Sequence, residues 1–160
     1  MKPIHIFPIV LFLAACSEAP APVKTSAGPT PPAPAATVAH GLDAKLVARG
    51  GEVYKVHCAA CHGANAEGAP NWSKKGPDGK LPPPPLDASG HGWHHPKSAL
   101  VQTIKEGTIK LGGGMPAWKA TLTDDDIEAV LAWIQSRWPE EIYKSWLAIE
   151  EKARHGHAAH

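Results

Sequence analysis

The stretch Cys58-Ala59-Ala60-Cys61-His62 decides the fold of this chain of 160 residues. Its cysteines stand three residues apart, so both sulfur atoms face the same side of a helical turn and can reach the two vinyl edges of one haem. The histidine that follows then lies beneath the iron and can coordinate it. We therefore predict that haem c is attached covalently through Cys58 and Cys61 and that His62 is an axial ligand of the iron.

Half of a zinc site and a redox-active dithiol are the alternatives for this cysteine pair. A zinc ion would need two further ligands at a suitable spacing, and the third cysteine of the chain, Cys16, lies far upstream. A redox dithiol is expected next to a βαβ pattern, and the sequence shows no alternating strand pattern. An export signal at the start of the chain, described below, also favours haem attachment.

Met115 is the candidate for the second axial position of the iron. The chain has two methionines, and Met1 leaves with the predicted signal peptide. Gly112-Gly113-Gly114 lets the backbone approach a flat cofactor, and Pro116 stiffens the chain after the methionine. Core packing is the alternative for a lone methionine. A haem held by His and Met has a raised reduction potential and no open coordination site, which suits electron transfer.

The residues around these motifs predict a mainly helical domain without an internal repeat. Each of four predicted helices begins at a capping residue or a proline, and their approximate ranges are 43–58, 96–106, 123–138 and 139–154. The third has the clearest apolar stripe, which consists of Ile127, Val130, Leu131 and Ile134. Three aspartates at its start face the positive end of the helix dipole.

Together, residues 58–62 and the sequence Met115-Pro116-Ala117-Trp118, in this order and separation, resemble a bacterial class I cytochrome c. The resemblance covers about residues 42–138. It implies an all-α class I cytochrome c fold, with helices around one covalently bound haem and with the last predicted helix as an addition. It also implies that the protein transfers electrons between redox partners and has no substrate chemistry of its own.

The resemblance further implies that the first and last core helices cross close together. Gly50 and Tyr54 match the glycine and the aromatic residue that the family has on the first helix. Val130 and Trp133 match the positions that they meet on the last. An ordinary helical core would give nearly the same contacts.

In the same family, a proline carbonyl accepts a hydrogen bond from the second ring nitrogen of the ligand histidine, and such a contact orients the ring and tunes the metal. Pro84 is the candidate, and Pro85 is the alternative because four prolines follow one another here. The residues predicted to support or pack on the haem are Pro84, Pro85, Leu86, Trp93, Pro116 and Trp118.

Residues 91–96 resemble a Trp-His-His-Pro stretch in a subgroup of bacterial monohaem cytochromes. Trp93 could donate its indole N–H to a haem propionate or pack on the edge of the cofactor. His94 and His95 could bind copper or replace Met115 as a ligand. The plainer alternative is that His91, His94 and His95 are solvated or anchor the loop.

The start of the chain predicts export and a lipid anchor. Residues 1–15 combine Lys2, a short apolar run and small residues, which is typical of a secretory signal and too short to span a bilayer. Leu13-Ala14-Ala15-Cys16 resembles the lipobox of bacterial lipoproteins, in which the cysteine is lipidated. Ser17 after it favours sorting to the outer membrane. We therefore predict a periplasm-facing lipoprotein anchored through Cys16.

The predicted organisation has four parts: a signal peptide (1–15), the lipidated cysteine and a Pro/Ala-rich tether (16–40), the cytochrome c domain (41–138), and a C-terminal helix and tail (139–160). The 16 basic and 15 acidic residues nearly balance, which argues against a nucleic-acid partner. The leading hypothesis is a periplasmic electron shuttle between periplasmic or membrane redox proteins. The alternatives are a haem subunit docked permanently to a membrane oxidoreductase, and a gas-binding or sensory haem protein in which Met115 is not a ligand.

Overall fold

The computed structural model describes residues 39–157, and these residues form five α-helices and three short 3₁₀ turns. The helices are α1 (Ala44–His57), α2 (Ala59–His62), α3 (Lys97–Glu106), α4 (Asp124–Gln135) and α5 (Glu140–His157), and the turns are Ala39–Gly41, Gly92–His94 and Ile109–Leu111. Residues 39–157 contain no β-strand, which agrees with the predicted all-α class. The predicted signal peptide, Cys16, residues 16–38 of the tether and the last three residues lie outside the described residues.

Two helix starts follow from their capping residues, as predicted. The Asp43 carboxylate accepts a hydrogen bond from the Leu46 N–H (2.8 Å) at the start of α1. At the start of α4, the Thr123 side chain accepts from the Asp126 N–H (3.2 Å), and the Asp126 carboxylate accepts from the Thr123 N–H (3.0 Å). This reciprocal pair is a capping box, which satisfies two backbone donors at the helix end.

Other helix boundaries differ from the prediction. Pro96 precedes α3 as its N-cap and is not in the first turn, because its ψ of 159° is extended. The first predicted helix (43–58) agrees with α1 to within one residue, but a separate single turn, α2, follows Cys58 and carries the histidine of the motif. The last helix begins at Glu140 and ends at His157, three residues beyond its predicted end.

Helices α1 and α4 cross closely, as the resemblance implied. Gly50 faces the backbone of Ala129, and a Cβ atom built on Gly50 would overlap the Ala129 carbonyl group and stand 2.8 Å from Trp133 Cβ. The Tyr54 ring stacks on the Trp133 ring with 4.1 Å between centroids. Tyr54 and Val130 are each 1% exposed in the same core cluster. The crossing therefore forms the centre of the core.

Helix α5 packs against the rest of the domain. Trp146 is buried and donates its indole N–H to the His95 carbonyl (3.1 Å). Glu150, also buried, accepts from the Lys97 N–H (2.8 Å) and thereby satisfies a free donor at the start of α3. Among the described residues, no helix has both the length and the apolar character that crossing a bilayer requires.

Candidate haem site

The two cysteines of the motif lie where α1 gives way to α2. Cys58 ends α1, and its carbonyl accepts hydrogen bonds from the N–H groups of Cys61 (3.1 Å) and His62 (2.9 Å). This tight turn holds the three functional side chains within one helical turn. Both cysteines are free thiols, one half-buried and one exposed. Burial, with a smaller contribution from Cys61, raises the pKa of the Cys58 thiol to about 11, so it is protonated at neutral pH.

The His62 imidazole is oriented by one backbone hydrogen bond. Its Nδ1–H donates to the Pro84 carbonyl oxygen (2.8 Å), and Nε2 is thereby the ring nitrogen left to bind a metal. Burial lowers the pKa of this imidazole, while the hydrogen bond to Pro84 opposes the shift. The ring is therefore neutral at pH 7, which is the form that coordinates iron. Of the two prolines considered, Pro84 makes this contact.

The proline ribbon, residues 82–86, is held in place by backbone hydrogen bonds to residues 66–69. The Ala69 N–H donates to the Pro83 carbonyl (2.9 Å), and the Leu86 N–H donates to the Ala66 carbonyl (2.8 Å). Gly68 has a φ of +70°, and a Cβ atom there would stand 2.6 Å from the Pro84 carbonyl carbon. The ribbon can therefore approach this backbone only where residue 68 is a glycine.

The Met115 loop, residues 107–118, is fixed by Thr108. The Met115 N–H donates to Thr108 Oγ1 (3.1 Å), and the Thr108 N–H donates to the Met115 carbonyl (2.9 Å). A Cβ atom on Gly113 would stand 2.7 Å from Thr108 Cβ, so the glycine permits this close approach. The sequence analysis missed Thr108. Its position directly after Gly107, which ends α3, is the signal that could have identified it.

Trp118 brings the Met115 loop next to the haem-attachment motif. Its ring meets the His57 ring edge to face, with 5.4 Å between centroids, and His57 directly precedes Cys58. The Trp118 N–H donates to the Ile104 carbonyl (3.1 Å), which anchors the end of the loop to α3. Pro116 is exposed. The two sequence motifs therefore lie at neighbouring positions of the fold.

The Trp93 indole N–H donates to the Gly90 carbonyl (3.1 Å). Because the backbone already binds this donor, the structure favours packing of Trp93 over a hydrogen bond to a haem propionate. The Trp93 ring stacks on His94 with 3.6 Å between centroids. Among residues 39–157, no group of three or more His, Cys, Asp or Glu side chains is arranged to hold a metal ion.

His91 is flanked by aromatic rings on the surface of the same loop. Its ring stacks on Trp72 with 5.4 Å between centroids and meets His95 edge to face at 5.6 Å. Burial, followed by the neighbouring His95 and His94, lowers the pKa of His91. His91 is therefore neutral at pH 7, and its contacts are those of a residue that anchors a loop.

Two further residues near the site were not identified from the sequence. The Trp138 indole N–H donates to the Leu86 carbonyl (3.0 Å), two residues after Pro84. The His40 ring stacks on Tyr143 with 4.0 Å between centroids, and its Nε2 lies 2.8 Å from the Trp138 carbonyl oxygen. A local sequence pattern could not predict the hydrogen bonds of Trp138 to Leu86 and of His40 to Trp138, because the partners are 52 and 98 residues apart in the chain.

Comparison of the sequence with known proteins places this chain in a family. Residues 45–134 match the family model described as "Cytochrome C oxidase, cbb3-type, subunit III". The cbb3-type cytochrome c oxidase subunit CcoP of Azospirillum sp. (strain B510) is 37% identical over 94 residues, and that of Azospirillum brasilense is 34% identical over 94 residues. The subunit FixP of Azorhizobium caulinodans is 28% identical over 96 residues. No solved structure matches the chain.

The aligned region covers 59% of this chain and 28–29% of each of these relatives. The chain therefore spans less than a third of the length of the relatives that it matches. It shares a domain with them, and this domain contains the haem-attachment motif, the proline ribbon and the Met115 loop.

Proposed function

The chain belongs to the family of cytochrome c oxidase, cbb3-type, subunit III, and on this premise we propose that it is the haem subunit of a membrane oxidoreductase. The family makes it a c-type cytochrome that takes part in electron transport. The proposal adds that it carries one haem, that Cys58 and Cys61 hold this haem, and that His62 and Met115 are the axial ligands. The observation that carries it is the His62 ring, fixed through Nδ1 on Pro84 directly after the cysteine pair.

The residues of the site fit a covalently attached haem. Two free thiols lie within one helical turn of a neutral imidazole, and the contact between Trp118 and His57 joins the loop that contains Met115 to the residue before Cys58, which supports Met115 as the second donor. Such a donor set matches the His/Met ligation of electron-transfer haems. When bound, the haem supplies a one-electron exchange between ferric and ferrous iron.

The side chains and the backbone of the protein have three roles in this function. The Pro84 carbonyl keeps the proton of the His62 ring on Nδ1 and fixes the plane of the ring. Thr108 holds the backbone of Met115 and would thereby fix the position of the sulfur that we propose as an iron ligand. The packed helices α1 and α4 keep the surroundings rigid, so little reorganisation accompanies electron transfer.

The proposal replaces the free periplasmic shuttle that the sequence analysis favoured. Three relatives are named as subunits of cbb3-type oxidases, which supports the alternative of a subunit docked to a membrane enzyme. We further propose that the protein faces the periplasm and is held at the membrane by the lipid on Cys16. The chain itself then carries electrons, and the chemistry of the substrate belongs to the partner.

The first experiment tests the haem. The full chain, matured in a host that attaches haem c, should contain one covalent haem per chain and titrate as a single one-electron couple. Met115→Ala should abolish the long-wavelength band of methionine-ligated ferric haem, lower the potential and leave the haem attached. An unchanged band would exclude Met115 as a ligand, and immediate binding of carbon monoxide by the wild-type ferrous protein would favour the gas-binding alternative.

The second experiment tests the partner. The native protein is extracted from membranes in mild detergent and separated by size-exclusion chromatography, with haem absorbance followed in each fraction. Co-elution with a larger oxidoreductase, retained through a second column, supports the subunit. Elution alone at the size of the single chain would contradict it and restore the shuttle.

A further inference from the structure

Trp138 joins the segment after α4 to the loop that supports His62. The residue is 3% exposed, and its indole N–H donates to the Leu86 carbonyl at 3.0 Å. Its backbone is held as well, because the Trp138 carbonyl lies 2.8 Å from His40 Nε2, and its ring meets Trp146 edge to face at 5.9 Å. A side chain fixed on so many sides has few ways to move. Trp138 is therefore a rigid support for the Leu86 peptide.

The Leu86 peptide is one of two anchors that flank Pro84, the other being Pro83, whose carbonyl accepts from the Ala69 N–H. Leu86 is bound on both sides, since its N–H donates to Ala66 and its carbonyl accepts from Trp138. The prolines before it have fixed φ angles and no N–H, so the ribbon has little freedom to absorb a displacement at its end. A shift of the Leu86 carbonyl is passed to the Pro84 carbonyl two residues earlier. That oxygen accepts the hydrogen bond from His62.

We propose that Trp138 is a positioning residue that sets the strength of the His62–Pro84 hydrogen bond and, through it, the reduction potential of the haem. The inference rests on the proposed function in one respect, namely that His62 is an axial ligand. Hydrogen bonding to the second nitrogen of a ligand imidazole increases its basicity and is one of the ways in which a protein tunes a haem. A more basic imidazole stabilises the ferric state. Loosening this bond should therefore raise the potential.

The test compares Trp138→Phe with Trp146→Phe in the full, haem-loaded protein. Each substitution keeps an aromatic ring in the core and removes one indole N–H that donates to a loop carbonyl, at 3.0 Å and 3.1 Å respectively. The Trp138 bond ends two residues from Pro84, whereas the Trp146 bond ends at His95, beyond the ribbon. The two variants should lose similar thermal stability. Only Trp138→Phe should change the reduction potential of the haem, because phenylalanine at position 146 still places an aromatic ring against Trp138 and leaves its indole N–H in place.

The expected result is measured at an electrode potential equal to the wild-type midpoint. Trp138→Phe should then show roughly a threefold to tenfold higher ratio of ferrous to ferric protein, where tenfold corresponds to about 59 mV for one electron. Trp146→Phe should keep the wild-type ratio. The nuclear magnetic resonance signal of the His62 Nδ1 proton in the ferrous protein should move in the direction of a weaker hydrogen bond in Trp138→Phe alone.

Two outcomes would overturn the proposal: a wild-type potential and proton signal in Trp138→Phe, or equal shifts in both variants. If Trp138→Phe does not fold, Trp138 is replaced by 3-benzothienylalanine, which keeps the shape of the indole and removes its N–H. Failure of the proposed function is recognised separately. In that case the wild-type protein would lack a covalent haem, or the absorption spectrum of its haem would not change when His62 is replaced by alanine.

Discussion

Gly50 of α1 lies so close to Ala129 of α4 that a Cβ atom on Gly50 would overlap the Ala129 carbonyl group. The Trp133 Cβ, one turn further along α4, would stand 2.8 Å from the added atom. We expect Gly50→Ala to push the two helices apart and to lower the free energy of unfolding by at least about 1–3 kcal/mol, the usual cost of overpacking a core. Chemical unfolding of the haem-loaded protein, followed by circular dichroism, measures the loss.

Gly156→Ala is the matched control for this substitution. Gly156 also lies in a helix, α5, and nothing stands within 4 Å of the position that its Cβ would take. Alanine should therefore leave the stability unchanged or raise it slightly through its better helix propensity. Equal stability of the two variants would contradict the close crossing of α1 and α4.

The helices were largely predictable because their causes are local, whereas the crossing of α1 and α4 was implied by the resemblance to class I cytochromes c. Asp43 and Thr123 are good capping residues, and each precedes the helix that it was predicted to start. The apolar stripe on α4 follows helical spacing, and three of its four predicted members are less than 4% exposed. Helix α2 was missed because a turn of four residues is too short to show a period.

The contacts that hold the haem ligands were predictable only in part. The resemblance suggested a proline carbonyl as the partner of His62, and the structure places that contact at Pro84. The roles of Thr108 and Trp138 depend on hydrogen bonds to backbone atoms, and any residue type presents those atoms. His40, which was assigned to the tether, packs on Tyr143 about 100 residues later. Contacts of this kind produce no periodic pattern in the sequence from which they could be predicted.

Asp126 gives a prediction with a defined pH dependence. The Thr123 side chain, then the Thr123 backbone and Arg49, lower the pKa of its carboxyl to about 2, from an ordinary value of 3.8. Because the folded state prefers the ionised form, Asp126 stabilises the fold above the ordinary pKa and loses this effect as the pH falls through about 2. We expect Asp126→Ala to lower Tm at pH 7, by an amount that shrinks between pH 4 and pH 2.

The control for Asp126→Ala is Asp125→Ala, which removes the same charge from the same helix turn. The Asp125 side chain is 83% exposed and lies 3.9 Å from Arg49, outside the capping box. Both carboxylates lie near the start of α4 and interact favourably with the helix dipole. A larger decrease in Tm for Asp126→Ala than for Asp125→Ala therefore measures the contribution of the capping box. Identical Tm values for the two variants at pH 7 would exclude the proposed role of Asp126.

The lipid anchor on Cys16 remains a prediction from the sequence and is tested by Cys16→Ser. Several acyl chains anchor a protein stably, and the Cys16→Ser variant cannot receive them. In a host that lacks the partner oxidoreductase, the variant should leave the membrane fraction and remain red, because the haem is attached elsewhere in the chain and no partner holds the protein at the membrane. Ser17→Ala, which keeps the lipidated cysteine, should stay in the membrane fraction. Haem absorbance in the soluble and membrane fractions decides, and a membrane-bound Cys16→Ser variant would refute the anchor.

Thr108 provides the most direct test of how the Met115 loop is held. Thr108→Val keeps the shape of the side chain but removes Oγ1, and the half-buried Met115 N–H loses its acceptor at 3.1 Å. An unsatisfied donor costs about 1–3 kcal/mol, so cyanide should displace the sulfur at a concentration roughly tenfold lower than in the wild-type protein. Thr103→Val is the control, because its hydroxyl donates to the Ala99 carbonyl within α3. Equal cyanide affinity in both variants would show that the loop holds Met115 without Thr108.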